Sequence, residues 1–349
     1  MRVLLPFLAL ALAARAHAAP LAVVAATPAL GGLVEAIGGP DVRVTVLARS
    51  DEDPHRTEVR PDLVHAAADA DLLLVNGLDL DTRWLPAVLE QSHNTRIQPG
   101  ARGYLVGAAA IVPQQVPRQV ATGARGGEEH PLGNPHYLLD PMNGLRVAAL
   151  IRDRLAELRP ARGDAFRRRF DEFHTRLGAR MVGDELAAKY TDVETLVQLA
   201  ELGRLGQFLE SQGDAGLLGG WLGTMAPYRG TRAVGDHDRW PYFARRFGLQ
   251  VVGHLEPRPG IPPTPGHLTA LADMMRARGV RLILAASRDP GQARGLAEQT
   301  GATIAFLGNP TGTRDYLSMI DDDVRQVATA LGGGTPSTTV PSTTVPPAS

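Results

Sequence analysis

Histidine is the residue type in this chain whose placement could do chemistry. Of ten histidines, three stand in stiff loops or where a strand should end. These are His55 in DEDPHRTEVRP, His136 in NPHYLLDP and His237 in VGDHDRWPYF. His55 and His136 each follow a proline, whose ring fixes φ and restricts the residue before it, so each imidazole is held in place. His55 comes after a strand expected over 42–47, and His237 ends one expected over 231–237. In open α/β sheets, ligands bind beyond the carboxyl ends of strands. Neutral imidazole is the commonest protein ligand for metals such as zinc, and three in one cleft make a strong zinc site. Spacing alone does not bring them together, because intervals of about 80 and 100 residues match no compact zinc motif. An isolated capping or surface histidine is the commoner use, and it is the expectation for His65, His93, His174, His254 and His267. His130, in GGEEHPLG, lies on an acidic loop close to His136, where it could pick up a metal and pass it on.

The elements that must position these residues alternate between strand and helix. LAVVAA (21–26), VRVTVL (42–47) and DLLLVNG (71–77) read as strands, with helices over 29–39, 60–70 and 82–92. Such alternation argues for a largely parallel sheet. Residues 107–135 are loop-like, rich in Gly, Pro and Gln. From 143 through 190 the pattern is helical and heavily charged on one side. Residues 191–227 carry glycines and apolar clusters that favour no element. Strand and helix then alternate again. Strands are expected over 231–237, 249–255, 280–287 and 302–308, and helices over 241–248, 265–279, 291–301 and 315–333.

Composition sets the class. The chain has 349 residues, is 44% hydrophobic and carries a formal charge of −1. That length favours two domains, and the absence of a basic excess points away from nucleic acid and anionic membrane surfaces. Residues 1–18 have a positive start, a short apolar run VLLPFLALALAA and the small-x-small site AHA, which read as a secretory signal cleaved after Ala18. There is no cysteine. Disulfides, a thiolate metal site and a lipid anchor on cysteine are therefore excluded. The Ser/Thr/Pro-rich tail at 332–349 lacks apolar mass and should be disordered.

Four segments in order, Asp53-Pro54-His55, ADLLLVNGLDLDTRWLP (70–86), NPHYLLDP (134–141) and His237 through Leu249, resemble the zinc/manganese solute-binding proteins of bacterial ABC importers. EPRPGIPPTPGHL (256–268) fits the same pattern, and the likeness runs from about residue 21 to about 331. The resemblance implies an α/β fold with two lobes of mainly parallel sheet, joined by one long helix, with the metal in the cleft. The expected division is a signal peptide at 1–18, a first lobe at 19–142, a linking helix at 143–190, a second lobe at 191–331 and the tail at 332–349. The implied ligands are His55 and His136 from the first lobe and His237 from the second. The fourth place stays open among water, Asp289, Glu256 and Asn309, because FLGNPTG puts Asn309 where the family usually supplies an acid. Asp53, Asp140, Asp236 and Asp238 are candidates to orient the rings. Three neutral imidazoles favour Zn²⁺, with Mn²⁺ the alternative, since manganese prefers oxygen ligands.

The resemblance thus implies a periplasmic or extracellular protein that captures Zn²⁺ and delivers it to an ABC transporter permease. A monomer without a nucleic-acid partner is expected. A secreted zinc hydrolase is the competing class, because three histidines with an open fourth position also describe a catalytic zinc. It would need Glu256 or Asp289 as general base, and no HExxH element occurs. A surface adhesin using the tail is a third reading that nothing in the folded part requires.

Overall fold

In the first lobe, strands β1 (Leu21–Ala25), β2 (Val42–Val46), β3 (Leu72–Val75) and β4 (Tyr104–Val106) form one parallel sheet in the order β2-β1-β3-β4. The computed structural model describes residues 19–50, 52–117, 130–257, 261–286, 291–308 and 315–332. The expected signal peptide and nearly all of the expected tail lie outside them, as do Asp289 and Asn309. Three helices connect the strands: α1 (Pro28–Gly38), α2 (Pro61–Ala68) and α3 (Leu85–Ser92). Each starts on a proline or has one in its first turn, where a missing N–H costs nothing. The strand β4 was not expected. Its three residues stand between glycines, too short to show a period of two.

Six helices follow: α4 (Pro141–Leu158), α5 (Gly163–Val182), α6 (Asp184–Lys189), α7 (Val193–Glu201), α8 (Leu205–Gln212) and α9 (Gly220–Met225). The single linking helix expected over 143–190 is therefore divided in three. Pro160 ends the first piece because its ring cannot continue a helix, and Gly183, at φ 92°, ends the second. The crossing between lobes is made by α5, whose 20 residues reach about 30 Å. At its start, Arg169 and the preceding Arg162 clasp Asp41 of the first lobe, at 2.9 and 2.7 Å. Residues 191–227, left open by the sequence, hold α7, α8 and α9, and α5 packs against α7 and α9.

The second lobe repeats the first. Strands β5 (Arg232–Gly235), β6 (Gln250–His254), β7 (Leu282–Ala286) and β8 (Thr303–Leu307) are parallel in the order β6-β5-β7-β8. Helices α10 (Pro241–Phe247), α11 (Pro265–Arg278), α12 (Gly291–Thr300) and α13 (Tyr316–Leu331) complete it. Arg180 near the end of α5 pairs with Asp321 of α13 at 2.8 Å. Along β7, Leu282 and Leu284 face the core shared with the first lobe, while Ile283 and Ala285 face a smaller one under α11 and α12. That alternation is the period of two of a strand buried on both faces. In each sheet the strand order reverses beside the first strand, β1 and β5, which is where open sheets form a crevice.

Candidate metal centre

Both first-lobe histidines are built by the same three-residue device. In Asp53-Pro54-His55, Asp53 Oδ1 accepts from the His55 backbone N–H at 3.1 Å and from the ring Nδ1 at 3.0 Å. In Asn134-Pro135-His136, Asn134 Oδ1 accepts from the His136 backbone N–H at 3.0 Å and from its ring Nδ1 at 3.1 Å. Proline in the middle fixes the turn, and the side chain two residues back takes both donors of the histidine. Trp84 Nε1 pins the first turn by donating to the Pro54 carbonyl at 2.8 Å. Asn76, just after β3, pins the second by donating to the Pro135 carbonyl at 3.0 Å.

His237 arrives differently. It lies two residues past β5 at the reversal point of the second sheet, and its ring Nδ1 donates to Glu256 Oε2 at 2.8 Å. Asp236 holds the turn by accepting from the His237 backbone N–H at 2.6 Å, Trp240 Nε1 at 2.9 Å and the Ala286 N–H at 2.6 Å. Gly235 is required here, because a Cβ would come within 2.8 Å of the Trp240 ring and 3.0 Å of the His237 carbonyl.

The structure brings His55, His136 and His237 together, with ring centroids 5.4 to 6.3 Å apart. It adds a fourth ring. The His130 ring lies tilted 5.1 Å from His55 and edge-on 6.5 Å from His136, and its Nε2 lies 3.2 Å from His55 Nε2. Zinc–nitrogen bonds of 2.0–2.1 Å in a tetrahedron place neighbouring donor nitrogens about 3.4 Å apart. The His55–His130 gap is already close to that value. Among the described residues, no three such side chains stand fully drawn up around one point. The imidazoles are gathered at ring-centroid separations of 5.1 to 6.5 Å.

Electrostatics keep two of these rings neutral. His136 is driven well below its ordinary pKa by burial first, then by His55, Arg239, His237 and His130. His130 is pushed down to about 4 by burial first and by His55 second. Because Asn134 fixes the proton on Nδ1 of His136, the Nε2 lone pair of that ring is left for a Lewis acid. The Nε2 of His136 is buried with no hydrogen-bond partner. Leaving such an acceptor unmade costs about 1–3 kcal/mol.

His130, expected only as a carrier on a loop, thus stands within the cluster itself. Its signal in the sequence was its position six residues before His136. Glu256, expected as a possible ligand, holds the His237 ring instead. Of the acids expected to orient rings, Asp53 does so. Asp140 caps α4 and pairs with Arg246 at 2.7 Å. Asp236 organises the β5 turn, and Asp238 accepts from Gln115 Nε2 at 3.0 Å. Asn134 was missed, although its place matches that of Asp53 two residues before its histidine. Outside the cluster, His65 and His93 are exposed, His174 pairs with Glu194 at 2.7 Å, and His267 meets the His254 carbonyl at 3.0 Å.

A family model described as the periplasmic component A of a zinc-uptake complex, ZnuA, matches residues 23–193 and 222–330. The manganese-binding lipoprotein MntA of Halalkalibacterium halodurans is 23% identical over 256 residues, 73% of this chain and 67% of that protein. A zinc-bound ZnuA deletion mutant superposes with a TM-score of 0.62 at 21% identity, covering 89% of this chain and 98% of the other. The laminin-binding protein Lmb of Streptococcus agalactiae, described as both adhesin and metal transporter, gives a TM-score of 0.62 at 19% identity over 88% and 98%. At these identities the two solved structures establish the shared two-lobed fold.

Proposed function

The chain belongs to the ZnuA family of periplasmic zinc-uptake components, and from that premise we propose that it captures Zn²⁺ on His55, His130, His136 and His237 and delivers it to an ABC importer permease. The observation that carries this reading is the buried, unpartnered Nε2 of His136 beside three other imidazoles. A buried lone pair with its tautomer already fixed is the donor a divalent transition ion needs.

The donor set favours zinc. Imidazole suits zinc, whereas manganese suits carboxylate, carbonyl and water oxygen. The carboxylates of Asp53 and Glu256 stand behind the rings. Two charges of −1 in that position balance a 2+ ion held by neutral ligands. Manganese is the second reading, favoured by the manganese-binding relative MntA. The hydrolase alternative falls with the family, whose members are transport components. Of the two acids it could use as base, Glu256 is engaged with the His237 ring and Asp289 lies outside the described residues.

Competitive chelator titration tests the proposal. His136→Ala should weaken zinc by about three orders of magnitude, roughly 4 kcal/mol, and zinc should outcompete manganese in the parent protein. Unchanged zinc affinity in that variant sinks the site. Preference for manganese sinks the metal assignment alone.

A further inference from the structure

Asn134 is buried, and the two ends of its amide face different lobes. Its Oδ1 holds the backbone and ring of His136. Its Nδ2 donates to the carbonyl of Asp238, the residue after His237, at 2.6 Å, and to Gln115 Oε1 at 2.8 Å. Its own carbonyl accepts from the Tyr242 hydroxyl of α10 at 2.9 Å, and that hydroxyl in turn accepts from the Gln114 N–H at 2.8 Å. The amide has one allowed orientation, because a backbone N–H can only donate and a backbone carbonyl can only accept.

The comparison with Asp53 sharpens the role. Both residues hold a histidine two positions on, and a carboxylate suffices for that at position 53. A carboxylate at 134 would still hold the ring but could not donate to Asp238. Gln115 could turn its amide over to accommodate the change, whereas the Asp238 carbonyl could not. Position 134 therefore needs an amide for the half of its work that reaches the second lobe.

We propose that Asn134 is a positioning residue that sets the separation of His136 from His237, and with it how tightly and how long the cleft holds its metal. This inference rests on the metal site assigned above. One residue fixes the tautomer of a first-lobe ligand and anchors the backbone beside the second-lobe ligand, so metal capture and lobe position become one event. Groups behind metal-bound imidazoles are commonly worth 10–100-fold in affinity.

The test compares the parent with Asn134→Asp, Tyr242→Phe and His136→Ala. Zinc alone is the probe, read by chelator competition and by the rate of zinc loss to excess chelator. Substituted Co²⁺ supplies a ligand-field spectrum, and melting of the metal-free proteins reports their folding. Asn134→Asp should weaken zinc about 10–100-fold, chiefly through faster loss, and should reduce the tetrahedral Co²⁺ bands. Tyr242→Phe, which leaves the amide in place, should shift the loss rate the same way by less. Parent-like loss rates in both variants, with zinc still weakened by His136→Ala, overturn the positioning role alone. Zinc untouched by His136→Ala overturns the site and this inference with it.

Discussion

At the scale of single residues, the proton inventory of the cluster decides how it meets a metal. Ligands must be unprotonated, so metal binding ordinarily releases protons. His130, at about 4, and His136, well below its usual value, are already neutral at pH 7. Zinc binding at pH 7 should therefore take no proton from either ring. Calorimetry in buffers of different ionisation enthalpy checks this, since His130→Ala and the parent should release equal numbers of protons. A smaller release from the variant would mean the ring was charged. The same shift fixes a pH trend for the metal-free protein. The folded state disfavours protonated His130, so stability from this group is full above its ordinary value of 6.5. It is lost as the pH falls from there toward about 4, and is flat below. Three of the four rings were legible in the sequence because a proline or a strand end marks each. His130 was legible only as a loop residue that could pick up a metal and pass it on, because it lies at the edge of a Gly-rich segment without periodicity. Its contact with His55 is made across 75 positions.

At the scale of elements, the lobes are keyed together by an ion cluster beside the histidine cluster. Arg246 of α10 makes two hydrogen bonds to Asp140, at 2.7 and 2.8 Å, and a third contact to Glu201 of α7 at 2.9 Å. Asp140 also caps α4, only four residues after His136. Both partners are buried, so removing one leaves an uncompensated charge. Arg246→Met should cost about 3–5 kcal/mol. Adding Asp140→Asn keeps the cap, because Asn and Asp cap equally well, and removes the stranded charge. The double variant should regain at least half of that loss in urea unfolding. A double variant no better than the single one would mean the pair contributes through packing alone. The helices and strands around this cluster were legible from periodicity and from Pro at helix starts. The ion cluster was not, because charge pairing between α4 and α10 leaves no local pattern. The break at Pro160 is readable in the sequence, because a proline ring cannot continue a helix.

At the scale of the whole molecule, the two lobes share one interior. Buried residues from Val24 of β1 through Phe166, Phe173 and Leu177 of α5 to Leu284 of β7 and Tyr316 of α13 form a single apolar cluster. Tyr316 reaches from the second lobe to donate to the Leu138 carbonyl at 2.7 Å, two residues past His136. The halves of α5 are ion-paired to opposite lobes. Two lobes joined only by a flexible linker would melt separately, because few contacts would cross the boundary. Here the boundary is crossed by core side chains, so loss of either lobe exposes the apolar face of the other. The metal-free protein should therefore unfold in one calorimetric transition, with a van't Hoff enthalpy matching the calorimetric one. If zinc is the cargo, as proposed, and binds only the folded state, it should move that single transition upward without splitting it. Two resolved transitions would place the lobes in separate cooperative units. The continuous core would then not be what holds the histidine rings of one lobe against those of the other.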